Sequence, residues 1–132
     1  VCHARADKVF VAACDMPFLN AEVVRGLCAR AGEGDVIIPA HENGLEPLHA
    51  LYSKSCITPM EEALDRGQKR IVGFFPQVDV SEVKCAEWQL VDPDGLSFRN
   101  INTPEEYYRL RESVPASGAR QGVAGRSTIP RK

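Results

Sequence analysis

The sequence predicts an α/β domain built on a mostly parallel sheet, and three observations carry that prediction. Val9 to Cys14 is an unbroken apolar run of strand length between Lys8 and Asp15, as expected of a strand buried on both faces inside a parallel sheet. Leu19 to Gly32 has helical periodicity, and Asp35 to Pro39 is a second short apolar strand. Strand, helix and strand with short links make a βαβ unit with a right-handed crossover.

The first strand must stop near Asp15. Pro17 has no N–H for a ladder and disfavours the helical region at Met16, which leaves Asp15 at the carboxyl end of the strand. Ligands of open α/β sheets bind outside the carboxyl ends of strands, so Asp15 is placed either to hold a metal or sugar hydroxyl or simply to cap a turn. Asn20 then serves as N-cap of a helix whose buried face is Val23, Val24, Leu27, Cys28 and Ala31, with Gly32 as its stop.

Asn43-Gly44 reads as a turn, followed by an extended segment from Glu46 to Tyr52. Ser55 to Arg66 reads as a helix with Pro59 near its first turn and Gly67 after its end. Gln68 to Pro76 leans towards helix, Val78 to Cys85 reads as a strand, and Asp92-Pro93-Asp94-Gly95 is a turn. Thr103 and Glu106 form a capping box around Pro104, so a last helix runs from there to about Glu112. Asn100 and Asn102 precede it. In an extended stretch, residues two apart point to one side, so both amides could face one ligand; local turn bonding is the competing reading.

Composition narrows the class. The 132 residues are 44% hydrophobic and 26% charged with a formal charge of −2, which suits one soluble domain, 1–112, with a modest core. No apolar run is long enough to span a bilayer, and the first seven residues lack the apolar core of a signal peptide. Five cysteines with no C-x-x-C pair fit a reduced cytoplasm, and Cys14 and Cys28 are expected on core faces. His3, His41 and His49 lack metal-ligand spacing and are expected at the surface or in a pocket. No basic face suggests nucleic acid. Residues 113–132 hold Arg120, Arg126, Arg131 and Lys132 without an acid amid Gly, Ser, Ala and Pro, and are expected to be a disordered tail.

Ala13-Cys14-Asp15-Met16-Pro17-Phe18-Leu19, Pro47-Leu48-His49-Ala50-Leu51-Tyr52 and Asn100-Ile101-Asn102-Thr103-Pro104-Glu105-Glu106 together resemble the molybdenum cofactor guanylyltransferase family in order and spacing, from about Lys8 to Leu110. The resemblance implies a three-layer Rossmann-like nucleotidyltransferase fold and transfer of GMP from GTP to molybdopterin, with Mg²⁺ as cofactor. It implies that Asp15 touches the nucleotide and metal and acts in catalysis, and that Asn100 and Asn102 serve the molybdopterin side.

Members of the family also carry a glycine-rich loop of the type Leu-Ala-Gly-Gly, with a following Arg and Lys, that grips the triphosphate and the base. Nothing in these 132 residues matches it. The chain is therefore expected to be the C-terminal part of such an enzyme, inactive by itself. The alternatives are a truncated non-catalytic molybdopterin-binding or interaction module and a related molybdopterin cytidylyltransferase. In the fragment reading the first strand keeps one edge unpaired, open to self-association with a second copy.

Overall fold

The computed structural model describes residues 1–113, which fall into two units, one reaching from Val1 to Ile101 and the other beginning at Asn102. The first unit contains β1 (Lys8–Ala12), α1 (Ala21–Ala29), β2 (Val36–His41), β3 (Gly44–Leu45), β4 (His49–Ser53), α2 (Ile57–Asp65), β5 (Val80–Val83) and α3 (Cys85–Trp88). Short 3-10 turns lie at Ala31–Glu33, Lys54–Cys56, Ile71–Gln77 and Leu96–Phe98. The second unit contains α4 (Pro104–Ser113).

Sheet order is β1-β4-β2-β3, with β5 on β2. Strands β1, β2 and β5 share one direction, as a βαβ unit requires, but β4 runs against them in the slot between β1 and β2. The sheet is therefore mixed, and only the β2–β5 ladder is parallel. The α/β class stands, while the expectation that the first strand sits inside a parallel sheet does not. Its neighbour is antiparallel β4, paired from Lys8↔Ser53 to Ala12↔His49.

The most deeply buried strand is β4, every residue of which is buried, whereas β1 is half-buried and ends at Ala12. The cause is position: β4 has neighbours on both sides, and β1 pairs with β4 alone among the described residues. The unpaired β1 edge agrees with the sequence expectation.

Alternation along the central strands builds the layers. Ile37 of β2 and Leu51 of β4 face one side, where they meet Val23 and Leu27 of α1, Val83, Trp88 and Phe98. Val36, Ile38, Ala50 and Tyr52 face the other, where they meet Cys56, Ala63 of α2 and Phe74. Helical segments thus cover both faces of the sheet, and each strand residue buries its apolar surface at about 25 cal/mol per Å².

Proline and glycine set the details. Pro39 lies within β2, two residues past the Ile37↔Leu51 pair where the β4 ladder ends. Its carbonyl accepts from Glu46 N–H at 3.0 Å on that side, so the missing proline N–H falls where β2 parts from β4 and takes up β3. The β2–β3 hairpin turns at Glu42-Asn43, one residue earlier than expected, and Gly44 takes φ 148° beside His41. Helix α1 stops at Ala29 rather than Gly32. The glycine that matters there is Gly34, where a Cβ would sit 3.0 Å from the Asp79 carbonyl oxygen. Next to it Asp35 accepts from Ser55 Oγ (2.6 Å) and Asp79 N–H (3.0 Å), and these two bonds hold its carboxyl below the usual range.

Other expectations shift. Cys14 and Cys28 are exposed, because the strand ends before the first and the second turns away from the Val23/Leu27 face of α1. His49 is wholly buried rather than at the surface or in a pocket. Ser113 closes α4, its Oγ donating to the Leu110 carbonyl at 2.7 Å. The remaining tail residues, 114–132, lie outside the described residues. Among the described residues no helix is long and apolar enough to cross a membrane.

Candidate functional site at the end of the first strand

Beyond Ala12 the chain makes a tight turn with Cys14 and Asp15 at its corners, closed by Met16 N–H on the Ala13 carbonyl at 3.3 Å. The buried Met16 side chain anchors it. Two backbone bonds hold the turn from outside: Ala13 N–H donates to Leu48 O at 2.9 Å, and Ile101 N–H donates to Asp15 O at 2.7 Å. The Asp15 side chain is half-buried, and its carboxylate has no hydrogen-bond or ion-pair partner among the described residues.

The second of those bonds brings the two informative stretches together. Asn100 is next to Ile101, exposed, with no partner for its amide among the described residues. Its approach is built by Asp92, a buried carboxylate that accepts from Leu96 N–H (3.1 Å), Ser97 N–H (3.0 Å) and Ser97 Oγ. These bonds cap the 3-10 turn Leu96–Phe98, which Gly95 enters at φ 60°. Phe98 then seats its ring against Trp88, His41 and His49, with centroids at 4.8, 4.8 and 4.7 Å.

Asn102 opens the second unit. Its N–H donates to Glu106 Oε2, and Glu106 N–H donates to Thr103 Oγ1, both at 3.2 Å, so the expected capping box forms with the carboxylate reaching one residue further back. The Asn102 amide has no partner among the described residues.

A cavity of about 460 Å³ is lined by Leu45, Pro47, Arg70, Ile71 and Val72. Asp15 and Asn100 are outside that lining. Pro47 is fixed by the Tyr52 hydroxyl, which donates to its carbonyl at 2.5 Å, and burial pushes the Tyr52 phenol up. Leu48, the next residue, carries the bond to Ala13. Arg70 brings a cation without an ion-pair partner among the described residues to an otherwise apolar wall. Sequence reasoning missed it, because Gln68 to Pro76 reads only as helix or strand; the Lys69-Arg70 pair ahead of Ile71-Val72 was the available signal.

The donor set decides what could be held. Among the described residues no three His, Cys, Asp or Glu side chains gather as a metal-holding group. That excludes a closed cage of the zinc type there, but Mg²⁺ keeps several waters and needs one or two carboxylates plus substrate phosphates, so a single free Asp15 fits it.

Comparison with known proteins gives one consistent result. Residues 1–80 match the MobA-like NTP transferase domain. A probable molybdenum cofactor guanylyltransferase of Pelotomaculum thermopropionicum is 35% identical over 122 residues, covering 92% of this chain and 58% of that protein. One from Methanosarcina mazei is 40% identical over 106 residues, covering 79% of this chain and 47% of that protein. The crystal structure of molybdopterin-guanine dinucleotide biosynthesis protein A from Archaeoglobus fulgidus superimposes with a TM-score of 0.68 at 32% identity, over 80% of this chain and 55% of that one. The chain thus spans about half the length of the proteins it matches.

Proposed function

Because this chain belongs to the MobA-like NTP transferase domain family, we propose that it serves the transfer of GMP from GTP to molybdopterin, supplying the Asp15 carboxylate and the asparagines of the molybdopterin side. The observation that carries this reading is the 2.7 Å bond from Ile101 N–H to the Asp15 carbonyl, which sets an unpartnered carboxylate and the unpartnered Asn100 amide on adjoining strips. Such a pair suits a reaction in which one phosphate attacks another, where catalysis is mostly positioning and charge neutralisation.

In this reading Asp15 is the protein's ligand to Mg²⁺, which when bound would offset charge on the reacting phosphates. Backbone bonds within the turn and from Ile101 hold the Asp15 backbone, so the carboxylate presents itself with little reorganisation. Asn100 and Asn102 offer amide donors and acceptors to the pterin or its phosphate. Arg70, on the lining of the separate and otherwise apolar cavity, is a further cation that could meet an anionic substrate group. Guanine is favoured over cytosine as the base because the similar proteins of Pelotomaculum thermopropionicum and Methanosarcina mazei are probable guanylyltransferases.

The test is molybdopterin binding to the purified chain, followed by quenching of pterin fluorescence. Asn100→Ala and Asn102→Ala are each expected to weaken binding about tenfold or more, the cost of roughly one to two polar contacts at ~1.4 kcal/mol per decade. Affinity unchanged in both variants would remove the asparagines from the substrate site.

A further inference from the structure

His49 is the first residue of β4, wholly buried, and neither of its ring nitrogens has a hydrogen-bond partner among the described residues. An aromatic hydrocarbon ring would fill this position without leaving polar atoms dry, so packing alone does not explain an imidazole there. Its neighbours are informative. His49 stands opposite Ala12, the last residue of β1 and three before Asp15. Its ring packs edge-on against Phe10 of β1 (5.1 Å) and Phe98 (4.7 Å), two residues before Asn100. One side chain therefore touches the two segments, β1 and the Phe98 turn, that lead into the strips joined by the Ile101–Asp15 bond.

We propose that His49 is a positioning residue: as a neutral imidazole it seats Phe98, and through it the Asn100-Ile101 strip, against the Asp15 turn, and it releases the strip on taking up a proton.

A charge here would be enclosed by Phe10 and Phe98, and burial already drives the imidazole from its ordinary 6.5 down to about 4. The facing groups pull both ways. Asp92, from the turn before the 3-10 segment, favours the proton, and His41, from the end of β2 on the other side of Phe98, opposes it. Glu46, beyond β3, has a carboxylate oxygen 3.3 Å from His41 Nε2, and burial raises its own pKa. The sign follows. Between pH 6.5 and about 4 the unfolded chain holds a proton that the folded chain refuses, so stability drains as pH falls through that window and is fully present above it.

The functional meaning of this device rests on the reading of Asp15 and Asn100 given above, so its test uses no substrate. Amide exchange at Ile101 is followed by NMR in the ligand-free chain from pH 7 to pH 4, together with the His49 ring resonances. Protection of Ile101 is expected to fall at least tenfold beyond the intrinsic pH effect, in step with His49 titration. In His49→Phe, which keeps a ring and removes the nitrogens, protection is expected to persist through the window. Equal acid loss of protection in native and variant chains overturns the proposal. So does a native His49 that titrates without change at Ile101, an outcome that decides the matter even should His49→Phe fail to fold. Failure of the guanylyl-transfer reading alters neither measurement.

Discussion

Asp92 shows how a single buried carboxylate can shape a site it does not enter. It satisfies Leu96 N–H, Ser97 N–H and Ser97 Oγ together, and so fixes the 3-10 turn from which Phe98 and Asn100 project. Asp92→Ala leaves three donors in a region where Ser97 is wholly buried. The expected cost is about 2–3 kcal/mol, read as a lower urea midpoint with unchanged slope. No loss of stability would mean that the turn holds without its cap. The sequence showed Asp92-Pro93-Asp94-Gly95 as a turn because turn chemistry is local. That the first aspartate would be buried and its partners Leu96 and Ser97 was not legible, since burial depends on Trp88 and the sheet behind it. His49 and Arg70 escaped for the same reason: one is defined by rings from β1 and the Phe98 turn, the other by a cavity wall formed partly by Leu45 and Pro47.

Among the elements, the helix starts marked by a capping side chain were read correctly, whereas the direction and place of β4, which its neighbours define, were not. Asn20 caps α1 by accepting from Glu22 N–H at 2.8 Å, and Thr103 caps α4, both visible as side-chain types at fixed spacing. Strand β4 gave no such sign of its direction or of its place between β1 and β2. The hydrophobic run of β1 suggested the centre of the sheet, yet the centre belongs to a strand containing His49 and Ser53. Where two elements approach closely, a glycine reports it. Gly34 sits against the Asp79 carbonyl with extended φ of 173°, so its role is space rather than backbone freedom. Gly34→Ala is expected to cost about 1–3 kcal/mol by forcing the start of β2 from the start of β5, measurable as a lower Tm. A neutral result would show that the β2–β5 ladder has slack at that end.

For the first unit as a whole, the layered sheet places the Asp15 turn at the carboxyl end of β1, and the last stretch of that unit returns to close on it through Ile101. The family membership and the three-layer packing agree with each other, and the remaining claim is that this junction is where phosphates meet a metal. Paramagnetic Mn²⁺ offered with GTP in place of Mg²⁺ tests that claim most directly, because it broadens amide resonances close to wherever it binds. The expected result is joint broadening at Asp15, Met16, Asn100 and Ile101, lost in Asp15→Asn while the rest of the spectrum stays native. Broadening centred on another part of the chain, or persisting undiminished in Asp15→Asn, would contradict the assignment.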